Sequence, residues 1–310
     1  MVSFTSSIQG WTYINNTANH FGQNVEFFYA NGTVIPSWLE SYSSTNAIWW
    51  LKLGSIPASS SETIYVGFAP KSTSLFNTIN DGEAPQLTCS NPSDTASCST
   101  YAEYDDGANV FTNYWNFAGT TLPSGWTVSG GASATVNNGV TIASTETYED
   151  IGMYYSSISF GASIAEDVYS IGTSNPTAVI GFANGVTSDG HGGDNPDDGY
   201  TFMSSPNDGS NMGIGKWSSG SLTTLVALTP ITSKYILTGE WYGSNLVFLY
   251  NYSLQKSISD SSYSQSSMSI LIAGTKGANF VDEQDTYQWV RLRNAPPNGV
   301  MPSVSFGSVS

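Results

Sequence analysis

The chain has 310 residues, more than one hydrophobic core usually covers, because single cores stop growing near ~250–300 residues. It carries 8 Lys and Arg against 24 Asp and Glu, a formal net charge of −16, yet charged residues make up only 10% of it. That leaves too few cations for a nucleic acid or an anionic membrane surface, and too little charge for coiled coil or charged disorder.

Aromatic residues make up 13% of the chain, and Ser, Thr, Asn and Gly fill much of the rest. This is the composition of extracellular β-proteins. The N-terminus, MVSFTSSIQGW, has no basic region and no apolar run, so no signal peptide is read there. If the protein is secreted, Met1 stands where a leader has been removed. No run of ~18 apolar residues exists, so no membrane-spanning helix is expected.

Helical periodicity is nearly absent and strand signals recur. Segments 24–29 (NVEFFY), 47–53 (AIWWLKL) and 62–68 (ETIYVGF) are short, aromatic and β-branched, with Ser- and Gly-rich joints between them. Residues 75–98 carry little strand signal and close a first β-domain, 1–100. Within this stretch Cys89 and Cys98 flank a Ser/Asn/Pro/Asp segment. In an oxidising compartment they form one disulfide, because a redox or zinc pair would need closer spacing and further ligands.

A second run, 101–310, opens near Tyr101. Asn137-Asn138-Gly139 signals a hairpin between alternating segments. Strands follow at 177–183, 200–204, 212–217, 222–228, 235–242, 246–252 and 267–274, with a hairpin turn after Trp241-Tyr242. Segment 287–293 (YQWVRLR) alternates strictly, which puts Arg291 and Arg293 opposite Val290 and Leu292. A strand every 10–15 residues points to an antiparallel sandwich of jelly-roll type. The fold class read from the sequence is therefore all-β, with two antiparallel β-sandwich domains.

Several phrases occur together. They are Ile35-Pro36-Ser37-Trp38-Leu39-Glu40, Trp49-Trp50-Leu51-Lys52-Leu53, Gly82-Glu83-Ala84-Pro85-Gln86-Leu87 and Tyr104-Asp105-Asp106-Gly107-Ala108-Asn109-Val110-Phe111. Leu122-Pro123-Ser124-Gly125-Trp126 follows, and Trp289-Val290-Arg291-Leu292-Arg293 with 297–307 (PNGVMPSVSFG) ends the set. As a set they resemble an uncharacterised family of archaeal surface proteins. In that family a small β-domain of unknown function precedes a concanavalin-A-like lectin/glucanase sandwich. The resemblance implies a concanavalin-A-like jelly roll for 101–310 and a place outside the cell. It carries no catalytic or binding residue across.

The densest polar cluster is 188–199, with Asp189, Asp194, Asp197 and Asp198 interleaved with Gly and Asn. Its composition suits calcium, which takes six to eight oxygens, although its spacing is not that of an EF-hand. The competing reading is a solvated acidic loop. Asp105-Asp106-Gly107 reads as a turn. Trp217, Tyr200, Trp241 and Tyr242 are candidates for an aromatic face on which a sugar stacks. Trp217 leads because a polar turn follows it, and the competing reading is core packing.

A retaining glycosidase needs two carboxylates about 5–5.5 Å apart. Glu166 and Asp167 are adjacent and so point to opposite faces of a strand, and 282–286, with Glu283 and Asp285, reads as a loop. Sequons at Asn15, Asn31 and Asn251 offer N-glycosylation. The function that fits is a non-catalytic adhesion or glycan-recognition protein. Its partners would be carbohydrate or other surface proteins, in a protomer that can self-associate. The alternatives are a subunit of a filament, sheath or S-layer, whose segment 302–310 donates an edge strand, and a glycoside hydrolase.

Overall fold

The computed structural model describes residues 1–310 except 18–19, 57–58, 93, 145–150, 162, 171–177, 189, 191–193, 205–211, 228–234, 266, 275–283, 297–298 and 310. The chain divides into two compact units, Met1–Tyr114 with Met301–Ser310, and Trp115–Val300. The first unit thus runs past residue 100. Tyr101, Val110 and Phe111 are buried, and Phe111 packs edge-on against Trp38 at 5.2 Å. The tail returns to the same unit rather than pairing as a strand. Phe306 meets Phe4 at 4.9 Å, and the Val309 amide donates to Gln9 Oε1.

The first unit holds β1 (Val2–Thr5), β2 (Val25–Phe28), β3 (Ser37–Tyr42), β4 (Asn46–Leu51), β5 (Tyr65–Phe68) and β6 (Asp81–Glu83). One sheet has the order β1-β4-β3-β6, and β2 pairs with β5. β3 and β6 run parallel, so this unit is not wholly antiparallel as expected. Period-2 alternation sends Ala47 and Trp49 of β4 to one face, where Trp49 meets Phe4 at 5.1 Å and Phe27 at 6.0 Å. Gly22 has φ +73°, and a Cβ there would sit 2.8 Å from the Trp49 ring, so only glycine fits.

Cys89 and Cys98 form a disulfide with a Cα–Cα distance of 5.4 Å and a sequence separation of 9. Closing so short a loop in the unfolded chain stabilises modestly. Reduction is therefore expected to lower the stability of the first unit by about 2–3 kcal/mol. Denaturant unfolding with and without reductant checks this.

β7 (Asn113–Trp115) crosses the division. The second unit then holds β8 (Trp126–Val128), β9 (Ala132–Val136), β10 (Val140–Ser144), β11 (Met153–Ser159), β12 (Ser163–Ser170), β13 (Ala178–Ala183), β14 (Val186–Ser188) and β15 (Asp194–Pro196). It continues with β16 (Gly199–Ser204), β17 (Met212–Ser218), β18 (Ser221–Ala227), β19 (Tyr235–Tyr242), β20 (Asn245–Tyr250), β21 (Ser253–Ser259), β22 (Ser267–Gly274) and β23 (Gln284–Arg293).

Two large sheets form, of order β21-β20-β19-β12-β23-β10-β9 and β18-β17-β16-β13-β22-β11-β8, while β14 and β15 make a separate ribbon. Alternate residues of both sheets meet in one core. Ile164, Val168, Leu237, Trp241, Val290 and Leu292 come from the first sheet, and Ile180, Phe182, Tyr200, Phe202, Ile270 and Ile272 from the second. The second unit is therefore a two-sheet antiparallel sandwich, and the fold class is all-β.

The hairpins fall where the turn residues require them. Val136 pairs with Val140 around Asn138 and Gly139, both with positive φ, and Tyr242 pairs with Asn245 around Gly243. β23 begins at Gln284, so Asp285 lies in a strand opposite Ile142 rather than in the expected loop, and Glu283 lies outside the described residues.

Candidate functional site

The expected sugar-stacking face does not form. Tyr200 and Trp241 point into the sandwich core and meet edge-on at 5.0 Å. Trp217 is on the outer face of the second sheet but only 4% exposed. Val179, Met203 and Leu222 pack against it, and its Nε1–H donates to Thr201 Oγ1 at 3.1 Å. Tyr242 is half-buried. Tyr200, Trp217 and Trp241 are covered because neighbouring strands bring an apolar partner to each ring.

The acidic segment does not converge either. Asp189 lies outside the described residues. Asp194 Oδ2 accepts from Ser129 Oγ and the Gly130 amide, both at 2.9 Å. Asp197 Oδ1 accepts from Thr187 Oγ1, and Asp198 Oδ1 accepts from the Ser219 amide at 3.1 Å. Asp194 pairs with Ser188 in the β14–β15 ribbon, whereas Asp197 and Asp198 follow the ribbon. Among the described residues no three His, Cys, Asp or Glu side chains gather where a metal ion could sit. The three described carboxylates of the segment are thus separately anchored.

What does gather is a polar rim at one end of the sandwich. β16 starts there, β17 ends there, and 260–265 crosses between β21 and β22. Tyr200 and Lys216 are register partners, so both side chains share a face. Asp260 takes the Tyr200 hydroxyl on Oδ1 at 2.5 Å, the Ser262 amide on the same oxygen at 2.9 Å, and Lys216 Nζ on Oδ2 at 3.2 Å. Lys216 also donates to Ser262 Oγ.

Burial alone would raise the Asp260 carboxyl. Hydrogen bonds from Tyr200, Ser262 and Lys216 reverse this and hold it well below the usual carboxylate range. Burial, reinforced by Asp260, pushes the Tyr200 phenol up, so it stays a donor. Tyr263 is half-buried, lies 5.3 Å from the Tyr200 ring, and donates to Asp198 Oδ1 at 3.3 Å and to the Trp217 carbonyl.

Side chains of Lys216 and Asp260 stay 26% and 15% exposed beside exposed Ser218, Ser219, Ser261 and Ser262. Asp198 belongs to this rim and was marked in the sequence. Lys216, Asp260 and Tyr263 were not, because nothing in the sequence pairs Lys216 with a residue 44 positions on.

Glu166 and Asp167 do face opposite ways. Glu166 Oε2 accepts the Gly181 amide across the core at 2.9 Å, and burial raises its carboxyl well above the usual range. Asp167 accepts from Arg291 Nε and Arg293 Nε at 2.8 Å and from Thr238 Oγ1 at 2.7 Å. Burial opposes ionisation of Asp167, but the two guanidiniums and these hydrogen bonds hold its carboxyl down at about 2. Arg293 Nη2 also reaches both Asp167 Oδ1 (3.2 Å) and Glu240 Oε1 (3.1 Å), so a cation fills the gap between these carboxylates.

Of the sequons, Asn15 is only 6% exposed, and its Oδ1 accepts from the Thr17 amide and hydroxyl. Asn31 and Asn251 are exposed at turns.

A family model described as a domain of unknown function, DUF2341, matches residues 21–84. "Uncharacterized protein 562" of Sulfolobus islandicus rod-shaped virus 1 is 44% identical over 87 residues, 27% of this chain and 13% of that protein. The chain therefore spans about an eighth of the curated relative it matches.

Among solved structures, the carbohydrate binding module CBM66 from Bacillus subtilis is 16% identical, with 55% of this chain and 92% of that one covered and a TM-score of 0.36. The exoplasmic/lumenal domain of VIP36, solved with Ca2+ and Man3GlcNAc bound, is 12% identical over 58% and 87%, with a TM-score of 0.39. The β-glucanase of Bacillus licheniformis is 12% identical over 59% and 97%, with a TM-score of 0.37. Binding domains and an enzyme thus stand side by side and do not choose between the two activities.

Proposed function

We propose that the protein is a non-catalytic, extracellular glycan-recognition protein of an archaeal surface, and that the rim at Lys216, Asp260 and Tyr263 is its binding site. One observation carries this reading. A partly exposed Lys–Asp pair, pre-oriented by Tyr200 and Ser262, stands beside a tyrosine ring and several exposed serines. Sugar hydroxyls pair with fixed donors and acceptors of this kind, while an aromatic ring covers the apolar face of the pyranose. A disulfide and an acid-rich, cation-poor surface support a place outside the cell.

The non-catalytic part rests on the carboxylates. Asp167 is an ionised partner of two arginines, and Arg293 bridges it to Glu240, so this pair of carboxylates is held by cations rather than left open to a sugar. Glycan-panel binding with purified full chain, in calcium and in chelator, tests the proposal. Folded wild type is expected to bind, and Lys216→Ala to weaken binding about tenfold or more, a loss typical of a central polar contact. Asp194→Asn, away from the rim, should bind as wild type. Absence of binding to any glycan by folded protein, or equal binding by Lys216→Ala, would overturn it.

A further inference from the structure

The first unit holds three carboxyl groups with no counter-charge. Asp81, Glu83 and Asp106 are each 1% exposed. Among the described residues, Asp81 Oδ2, Glu83 Oε1 and both oxygens of Asp106 have no hydrogen-bond partner. They lie around Gly82, where a Cβ would stand 2.3 Å from Asp106 Oδ1 and 2.4 Å from the Tyr104 carbonyl. The groups that face them are themselves acidic or neutral. Asp81 sees the Ser37 hydroxyl of β3 and the charge of Glu26 on β2. Glu83 sees Asp81, Glu103 and Asp105, and Asp106 sees Asp105 and Asp81.

Lys52 and Lys71 are the only Lys or Arg residues in this unit's sequence. Lys52 is exposed and donates to the Asn109 carbonyl.

These carboxyls sit on the seam that ties residues 80–84 to β3 and to 104–106. The Ala84 amide donates to the Leu39 carbonyl at 2.7 Å, the Ser37 amide to Asn80 at 2.9 Å, and the Glu83 amide to Tyr104 at 3.0 Å. Next along the chain, Asp105 accepts from Trp38 Nε1 at 2.8 Å and Phe111 covers the Trp38 ring. An ionised carboxylate buried without a partner is too costly to persist, so it either takes a proton or reaches water by opening the seam.

We propose that β6 and residues 104–111 form a proton-operated latch, closed on β3 while Asp81, Glu83 and Asp106 are protonated and opened when they ionise. Burial, then neighbouring acids, raises all three carboxyls, Glu83 to about 8 and Asp106 to about 9. A group raised on folding contributes stability that is complete below its unfolded value near ~4 and is lost as pH rises through the folded value. The latch is therefore tightest in acid and loosens between about pH 7 and about pH 9.

Hydrogen exchange of the full chain, corrected for intrinsic rate and read at 80–84 and 101–111 from about pH 5 to about pH 9, tests this. Wild-type protection there is expected to fall about tenfold or more, with red-shifted tryptophan emission as Trp38 is uncovered, while β22 stays protected. Glu83→Gln and Asp106→Asn keep shape without charge, and each should retain more protection than wild type at the alkaline end. Constant wild-type protection would overturn the latch, as would an equal fall in both variants. Restoration of wild-type protection by millimolar calcium at high pH would also overturn it and would make the cluster a cation site.

Discussion

Replacing Asp167 with alanine is expected to lower the unfolding free energy of the second unit by about 3–5 kcal/mol, the usual cost of stranding a buried charge. Asp167 lies at the centre of its sheet, since β12 sits between β19 and β23. It takes hydrogen bonds from both guanidiniums and from Thr238. The variant would leave Arg291, fully buried, and Arg293, nearly so, without their shared anion.

Its neighbour should behave in the opposite way. Burial raises the Glu166 carboxyl well above the usual range, which favours its neutral form, so Glu166→Gln should change stability by less than about 1 kcal/mol. Denaturant melts of both variants at equal m-value check the pair. The pH signs differ too. Asp167, depressed on folding, stabilises above its unfolded value near ~3.9 and loses that contribution as pH falls through about 2. Glu166 contributes most in acid and less as pH rises. The second unit should therefore hold through pH 5 to pH 3, the window in which acid unfolding usually begins.

Trp241→Ala is expected to cost about 3–5 kcal/mol through the cavity it leaves. The ring is fully buried and touches Tyr200, Phe182 and Phe160, and its Nε1–H is satisfied by the Gly243 carbonyl in the hairpin turn. The Gln265 side chain donates to the Trp241 backbone, so the 260–265 connection leans on the same strand. Thermal or denaturant melts measure the loss. A variant as stable as wild type would mean that Trp241 is not a core residue.

Much of the strand pattern was legible. Segments such as 235–242 and 267–274 coincide with β19 and β22, because apolar alternation and β-branched residues act within one strand. β12 was missed although it is central. Its sequence, SIAEDVYS, places two acids where alternation should be apolar. Asp167 makes sense only beside Arg291 and Arg293, over 120 positions away, and Glu166 only beside the Gly181 amide of the facing sheet. β21, SLQKSIS, was missed because an edge strand facing water needs no apolar face.

The candidate site fared worse for the same reason. A polar turn after Trp217 suggested exposure. Yet Val179, Met203 and Leu222, each from a different strand, cover the ring, and no local pattern announces them. The buried acids of the first unit were hidden likewise. Gly82-Glu83 and Asp105-Asp106-Gly107 look like ordinary turn sequence until β6 is seen beside β3.

The return of Met301–Ser310 to the first unit has a mechanical consequence. A pull applied at Val2 and Val309 acts first across the contacts that join residues 4–9 and the tail, Phe4 to Phe306 and Gln9 to Val309. Residues Trp115–Val300 form a closed loop between those two attachment points and bear no tension while they hold. In a stretching experiment the first unit is the fuse. The sandwich is expected to come under load only after those contacts have ruptured.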